Sequence, residues 1–162
     1  FVVLPKSVNR KRIEENAAVF DFGRSVASQR PVGSPLLLLP AYAQIEQRRR
    51  SRAEPLWRRQ WAQESTLDYT LTAFHDWFRK APVKHCSVAD LNLLAYALWA
   101  GCRYLEAAEV FEAMGSYATR EPWASVHDGA AGPDPGEALL LRARAESLTY
   151  VRTRGPRAGP HP

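Results

Sequence analysis

The chain has 162 residues, nearly half of them apolar and about a quarter charged, a composition typical of a globular protein with one core. The 22 Lys and Arg residues outnumber the 17 Asp and Glu residues and give a formal charge of +5, which suits an acidic partner or nucleic acid and equally an ordinary arginine-rich protein. Two cysteines are too few for a disulfide framework, and no apolar run is long enough for a membrane span or a signal peptide.

These features predict a cytoplasmic protein from a reducing compartment that needs no metal or other cofactor. The chain starts at Phe1 rather than Met, so a targeting segment could have been removed. We expect one all-α domain over residues 1–152, with an extended basic arm at residues 1–12. A first helix should start at Ile13, which shares one helical face with Ala17 and Phe20, and end at Gly23.

Ser34 and Pro35 form the signature of a helix start, because the serine can cap the free amides and proline suits the first helical position. The helix should run to about Arg50, and it should either kink at Pro40 or begin there. Its expected buried stripe consists of Leu37, Leu38, Ala41 and Ile45.

The longest helical pattern begins at Pro55 and ends before Pro82. Its apolar face shifts near Glu64, which predicts a bend or a division into two helices. Ser87 and Asp90 then form a capping-box pattern that starts the most regular segment, residues 91–114.

Apolar and small residues recur along two helices of this segment, with a glycine, basic and tyrosine turn between them: Leu91, Leu94, Ala95, Leu98, Gly101, Arg103, Tyr104, Ala107 and Phe111. This pattern resembles that of a tetratricopeptide-repeat hairpin. The resemblance covers about residues 88–122 and implies two antiparallel helices that approach closely where Ala95 meets Ala107 or Ala108. The surrounding helices could form a divergent short solenoid or a bundle. The family's usual turn glycine is displaced here, because Cys102 follows Gly101.

A second face of the first hairpin helix carries Asn92, Tyr96 and Trp99. The resemblance implies that this face lines a concave peptide-binding surface, where Asn92 would bind a peptide backbone and the two rings would supply contact area. The alternative is that Tyr96 and Trp99 pack on the preceding helix.

Residues 116–135 are rich in Gly, Pro and Ala and predict a long loop. A last helix should run from Gly136 to Arg152 and bury Leu139, Leu140, Ala143 and Leu148. The tail at residues 153–162 should be disordered.

Six arginines lie close to Trp57 and Trp61 and could hold phosphates or another anion beside stacked bases; they are Arg48, Arg49, Arg50, Arg52, Arg58 and Arg59. The alternative is a solvated surface. Polar side chains on the long helix and in the loop are the remaining candidates for an active site, namely Glu64, Asp68, His75 and His127.

The sequence therefore predicts a non-enzymatic protein-protein interaction module or accessory subunit, whose peptide or protein partner could be acidic. A basic nucleic-acid-associated module is the first alternative, and an enzyme of unrecognised family is the second.

Overall fold

The computed structural model describes residues 33–50, 57–126 and 134–154. Within these ranges the chain forms seven α-helices and no strand, which confirms the all-α prediction. We number them α1 Leu39–Arg50, α2 Trp57–Trp61, α3 Glu64–Ala73, α4 Val88–Ala100, α5 Tyr104–Met114, α6 Trp123–Val126 and α7 Pro135–Arg154. The predicted arm at 1–12, the predicted helix from Ile13 and residues 155–162 of the predicted tail lie outside the described residues.

The first described helix starts as the sequence predicts. Ser34 accepts a hydrogen bond from the Leu36 amide, and a 3-10 turn, Pro35–Leu38, leads into α1. Pro40 is the second residue of α1, where its missing amide is not needed by the helix, so the proline does not break it. All four residues of the predicted stripe are buried.

The long helical pattern divides at residues 62 and 63, between α2 and α3, as the shift of its apolar face predicts. A π-helical turn, Phe74–Phe78, follows α3. Because such a turn adds a residue per turn, the adjacent rings of Trp77 and Phe78 are both buried.

The predicted hairpin consists of α4 and α5, which pack against each other. Ser87 caps α4 by accepting a hydrogen bond from the Asp90 amide at 3.1 Å. The carboxylate of Asp90 does not complete a capping box; it accepts a hydrogen bond from the Tyr42 hydroxyl of α1 at 2.6 Å. The small residues expected between the helices, Ala95 and Ala107, are both 0% exposed.

The turn between α4 and α5 explains the displaced glycine. The amides of Cys102 and Arg103 bond to the carbonyls of Trp99 and Leu98, the pattern of a Schellman motif, and the left-handed residue is Cys102 with φ of 60°. Gly101 is required for a different reason. A Cβ there would lie 2.7 Å from Leu67 Cδ2 and 3.0 Å from the Trp61 carbonyl oxygen.

The predicted loop at 116–135 is only partly irregular, and this corrects the sequence-based expectation. Residues 123–126 form α6, Trp123 is 1% exposed, and the backbone of Ala124 lies so close to Gly136 that a Cβ on the glycine would be 2.9 Å away. Helix α6 thereby joins α1 to α7. Residues 127–133 lie outside the described ranges.

Helix α7 packs on α5, α6 and α4. It is two residues longer than the prediction at its C-terminal end, so Thr153 and Arg154 belong to a helix and not to the predicted tail. Leu139, Leu140 and Ala143 are buried as expected, whereas Leu148 is only half-buried. The centre of the domain is α4, which α1, α2, α3, α5 and α7 surround.

Candidate functional site

The three residues predicted to form a partner-binding face, Asn92, Tyr96 and Trp99, lie in the core. Each is 0% exposed, so this structure contradicts the exposed face that the sequence analysis expects. The reason is that helices cover α4 on all sides, and every residue from Leu91 to Ala100 is buried. The alternative prediction is that Tyr96 and Trp99 pack on the preceding helix. It agrees with their contacts with Trp61 and Arg58 of α2.

Asn92 uses its side-chain amide inside the domain. Its Nδ2 donates a hydrogen bond to the Val88 carbonyl oxygen at 2.8 Å, and its Oδ1 accepts one from Trp123 Nε1 at 2.9 Å. The Trp123 ring also lies edge-on to Tyr96 and stacks on Phe111, with centroid separations of 5.5 and 6.2 Å. The amide expected to bind a peptide therefore anchors α6 to the hairpin.

Trp99 connects three helices at the C-terminal end of α4. Its Nε1 donates a hydrogen bond to Glu146 Oε2 on α7 at 2.7 Å. The guanidinium of Arg58 on α2 lies 4.0 Å from the centre of the indole, and that of Arg142 on α7 lies 5.7 Å away, distances at which a cation is attracted by the ring. Two cations and one carboxylate thus gather around a buried indole.

Tyr96 lies beside this group, edge-on to Trp61 at a centroid separation of 5.4 Å. Burial raises the pKa of its hydroxyl well above the usual value, and the nearby charges of Arg58 and Arg48 only partly oppose this shift. The ring is therefore neutral at physiological pH and behaves as a core residue.

The predicted anion-binding arginines are only partly described. Arg49 and Arg59 are exposed, and Arg49 pairs with Glu46 at 3.2 Å. Arg48 and Arg58 are half-buried, whereas Arg52 and the side chain of Arg50 lie outside the described part. Trp61 is 3% exposed, so its ring is not accessible for stacking with a base.

The polar residues considered for an active site are dispersed. Glu64, Asp68 and His75 are exposed on α3 and the turn after it, and His127 lies outside the described residues. In residues 33–50, 57–126 and 134–154 no group of three or more His, Cys, Asp or Glu side chains is placed to hold a metal ion.

The two cysteines differ in accessibility. Cys86 is half-buried, and burial followed by the charge of Asp90 raises the pKa of its thiol, which opposes the thiolate form that a nucleophile needs. Cys102 is exposed in the hairpin turn.

A surface groove of about 490 Å³ lies between the start of α5 and the C-terminal half of α7. We call it the tyrosine groove, and it is lined by Tyr104, Ala145, Glu146, Thr149, Tyr150 and Thr153. The two tyrosine rings contact each other at a centroid separation of 5.3 Å. Burial and a hydrogen bond with Cys102 raise the pKa of Tyr104, so its hydroxyl stays protonated.

Three arginines lie near individual residues of the groove lining. Arg154 Nη1 donates a hydrogen bond to the Tyr150 hydroxyl at 3.1 Å, and its guanidinium lies 5.1 Å from the centre of that ring. Arg58 lies close enough to Tyr104 to lower its pKa slightly, and Arg142 is 3.9 Å from Glu146. The groove therefore has three cations at its edge and one carboxylate in its lining.

A second groove, of about 410 Å³, lies on the other side of α7, against residues 116–120 and Trp123. It includes Leu141, which is 57% exposed, and Arg144. Arg144 donates hydrogen bonds to the carbonyl oxygens of Phe111 at 3.0 Å and of Gly115, so this arginine caps the end of α5.

The tyrosine groove cannot be predicted from the sequence. In the sequence pattern, Tyr104 is a residue of the hairpin turn. Tyr150 lies near the end of the last predicted helix, whose prediction depends only on its buried residues. The missing information is that α5 and α7 run antiparallel and side by side, which brings the start of one helix to the end of the other.

In the ranges that the structure describes, no helix is both long enough and apolar enough to cross a membrane. No protein-family model matches the sequence, and neither a curated protein nor a solved structure matches it.

Proposed function

We propose that the protein is a non-enzymatic interaction module that binds an acidic peptide, or an acidic segment of a protein partner, in the tyrosine groove. The observation that carries this proposal is the groove itself, whose lining combines two half-buried tyrosine rings with two exposed threonines and has Arg154 against the ring of Tyr150.

The lining suits a peptide because it combines flat apolar area with hydrogen-bonding groups. Tyrosine is enriched at protein interfaces because its ring offers contact area at a low entropic cost and its hydroxyl can bond to polar atoms. Here Tyr104 and Tyr150 already contact each other, so their positions are fixed before a partner arrives. Less side-chain entropy is then lost on binding.

The charge around the groove favours an acidic partner. Arg58 and Arg154 are held over aromatic rings, at 4.0 and 5.1 Å from the ring centres, and Arg142 lies near the same carboxylate that accepts from Trp99. Three positive charges against Glu146 leave a positive edge. Carboxylates of a partner would be attracted to it, and this attraction should weaken as salt is added.

A displayed library of random peptides, selected on the full chain, tests the proposal. We expect enrichment of peptides that combine Asp or Glu with an apolar or aromatic residue. Tyr150→Ala should weaken binding of a selected peptide at least about tenfold, the effect expected of a tyrosine that is a hot spot of the interface. Tyr117→Ala is the matched control, because Tyr117 is 72% exposed and lies outside the groove.

The charge requirement is tested separately. Arg154→Glu should weaken peptide binding and reduce its salt dependence, whereas Arg49→Glu, a charge reversal on α1 away from the groove, should leave both unchanged. The proposal would be refuted if the selected peptides were basic or uncharged. It would also be refuted if Tyr117→Ala weakened binding as much as Tyr150→Ala, or Arg49→Glu as much as Arg154→Glu. Retention on DNA that depends on Arg48 and Arg59 would instead favour the nucleic-acid alternative.

A further inference from the structure

We infer that a second copy of this chain binds to the outer side of α7, and that the two α7 helices pair antiparallel in a two-fold dimer. This interface is distinct from the tyrosine groove, with which it shares only Ala145.

Helix α7 has two apolar sides, and within residues 33–50, 57–126 and 134–154 only one of them is packed against other helices. The buried side carries Leu139, Leu140, Ala143 and Ser147, all less than a tenth exposed. The opposite side carries a row that we call the outer seam: Ala138, Leu141, Ala145 and Leu148. Ala138, Leu141 and Ala145 are exposed and Leu148 is half-buried. The row spans residues 138–148 in the middle of the helix, between the two grooves.

The spacing of the outer seam is that of a coiled-coil contact. Its residues follow each other at intervals of three, four and three, which keeps them on one line of a helix. Small and large residues alternate along this line. An antiparallel copy, with the two-fold axis level with residue 143, would place each leucine opposite an alanine: Leu141 against Ala145 of the second copy, and Leu148 against Ala138.

The charges at the two ends of the seam are complementary in the same register. Asp134 lies four residues before the seam and Arg152 lies four residues after it, and both are exposed. The antiparallel pair therefore sets Asp134 of each copy opposite Arg152 of the other. A parallel pair would set like charges together. Antiparallel helices also oppose their dipoles favourably.

Arg142 and Arg144 lie level with the two-fold axis, and each directs its guanidinium to groups of its own chain. Arg144 donates hydrogen bonds to the carbonyl oxygens of Phe111 and Gly115. Arg142 lies beside the seam, and its guanidinium is directed to Trp99 and Glu146 of its own chain, at 5.7 Å from the ring centre and 3.9 Å from the carboxylate. Glu146 of the same chain thus offsets part of its charge. Because the interface is formed by one helix from each copy, we expect a weak dimer with a dissociation constant in the micromolar range.

Sedimentation of the full chain over about 1 to 200 µM, a range that brackets micromolar affinity, tests the inference. The wild type should change from monomer to dimer across this range, and Leu141→Glu should remain monomeric. Leu105→Glu is the matched control, because Leu105 on α5 is 49% exposed and lies outside the seam; this variant should dimerise like the wild type.

The register has its own test. Arg152→Glu and Asp134→Lys should each weaken the dimer at least about tenfold, since each sets like charges opposite one another, and the double variant should restore it. Asp134→Asn, which keeps an acceptor for the Glu137 amide, separates loss of charge from loss of the helix cap. Any of three results would overturn the inference: the wild type stays monomeric, Leu141→Glu forms a dimer, or the double variant does not recover the dimer affinity of the wild type.

Discussion

Helices α4 and α7 are both rich in apolar residues, yet they differ in how much of their surface is buried. Every residue of α4 from Leu91 to Ala100 is buried, polar and aromatic side chains included. Helix α7 buries one side and leaves the other side exposed, with Leu141 57% accessible and a groove on each flank. The difference is one of position. In the part of the chain that the structure describes, α1, α2, α3, α5 and α7 all pack on α4, whereas α7 packs mainly on α5, α6 and α4.

This comparison shows why an aromatic face on a helix does not by itself indicate a binding surface. Tyr96 and Trp99 have the chemistry of interface residues, and the structure uses it for internal contacts with Trp61, Trp123 and Glu146. The accessible aromatic and apolar groups lie on α7 and at the start of α5. Substitutions on α4 should therefore change stability, and substitutions on the open side of α7 should change association.

The largest expected loss of stability is on α4, and it tests the difference between α4 and the exposed side of α7. Trp99→Ala should lower the free energy of unfolding by about 3–5 kcal/mol, because it leaves a cavity and removes the indole that Glu146 and Arg58 contact. Leu141→Ala should change it by less than about 0.5 kcal/mol. Urea denaturation at low protein concentration measures both. Similar losses in the two variants would mean that α7 is as enclosed as α4.

The close approach at the end of α4 should give the next largest effect. Gly101→Ala would place a Cβ 2.7 Å from Leu67 Cδ2 and 3.0 Å from the Trp61 carbonyl oxygen. The leucine can rotate but the carbonyl cannot, so we expect a loss of about 1–3 kcal/mol in the same assay. A loss below about 0.5 kcal/mol would show that α2 can move away from α4.

Substitutions of two arginines on α7 should differ in their effect on the free energy of unfolding, because one arginine contacts α5 and the other is on the exposed side. Arg144→Ala removes the side chain that caps the carbonyls of Phe111 and Gly115 and should cost about 1–2 kcal/mol of stability. Arg152→Ala, on the exposed side, should cost less than about 0.5 kcal/mol. Equal costs would contradict the assignment of Arg144 as the cap of α5.

Much of the fold could be predicted because its signals are local. The Ser34 and Ser87 caps, the division near Glu64 and the hairpin turn each depend on a few neighbouring residues, and the structure contains all of them. Helix α6 was missed because four residues give no periodic pattern, and Trp123 is buried by distant partners, Asn92 and Phe111. The repeat-like character of the hairpin stays a prediction.

The candidate site could not be predicted in the same way. Which face of α4 is open depends on how many helices surround it, and that number is a property of the tertiary structure. The pairing of Tyr104 with Tyr150 joins residues 46 positions apart, and nothing near either residue indicates the other. The outer seam of α7 is visible as a spacing in the sequence, but its exposure is not.

The burial of Tyr96 should also appear in the dependence of stability on pH. Its pKa in the folded protein is raised, so the unfolded chain loses the proton first, near the usual value of about 10. The stability contribution is complete below that pH and falls above it by about 1.4 kcal/mol per pH unit until the folded pKa is reached. Tyr96→Phe should flatten the alkaline part of the curve in urea titrations at successive pH values. An unchanged slope would contradict this burial.

The smallest expected effect is a gain in stability, and it comes from the residue beside Gly101. Cys102 has φ of 60°, a conformation that costs a side-chain-bearing residue about 1–2 kcal/mol, whereas glycine adopts it freely but loses more entropy on folding. Cys102→Gly should therefore gain about 0.5–1 kcal/mol and raise the melting temperature. Cys102→Ala is the control for loss of the thiol and should show no such gain. If the two variants are equally stable, the left-handed turn is not strained. In that case only one position of the turn, Gly101, would have a structural requirement for glycine, and this requirement would come from its close contacts with Leu67 and Trp61.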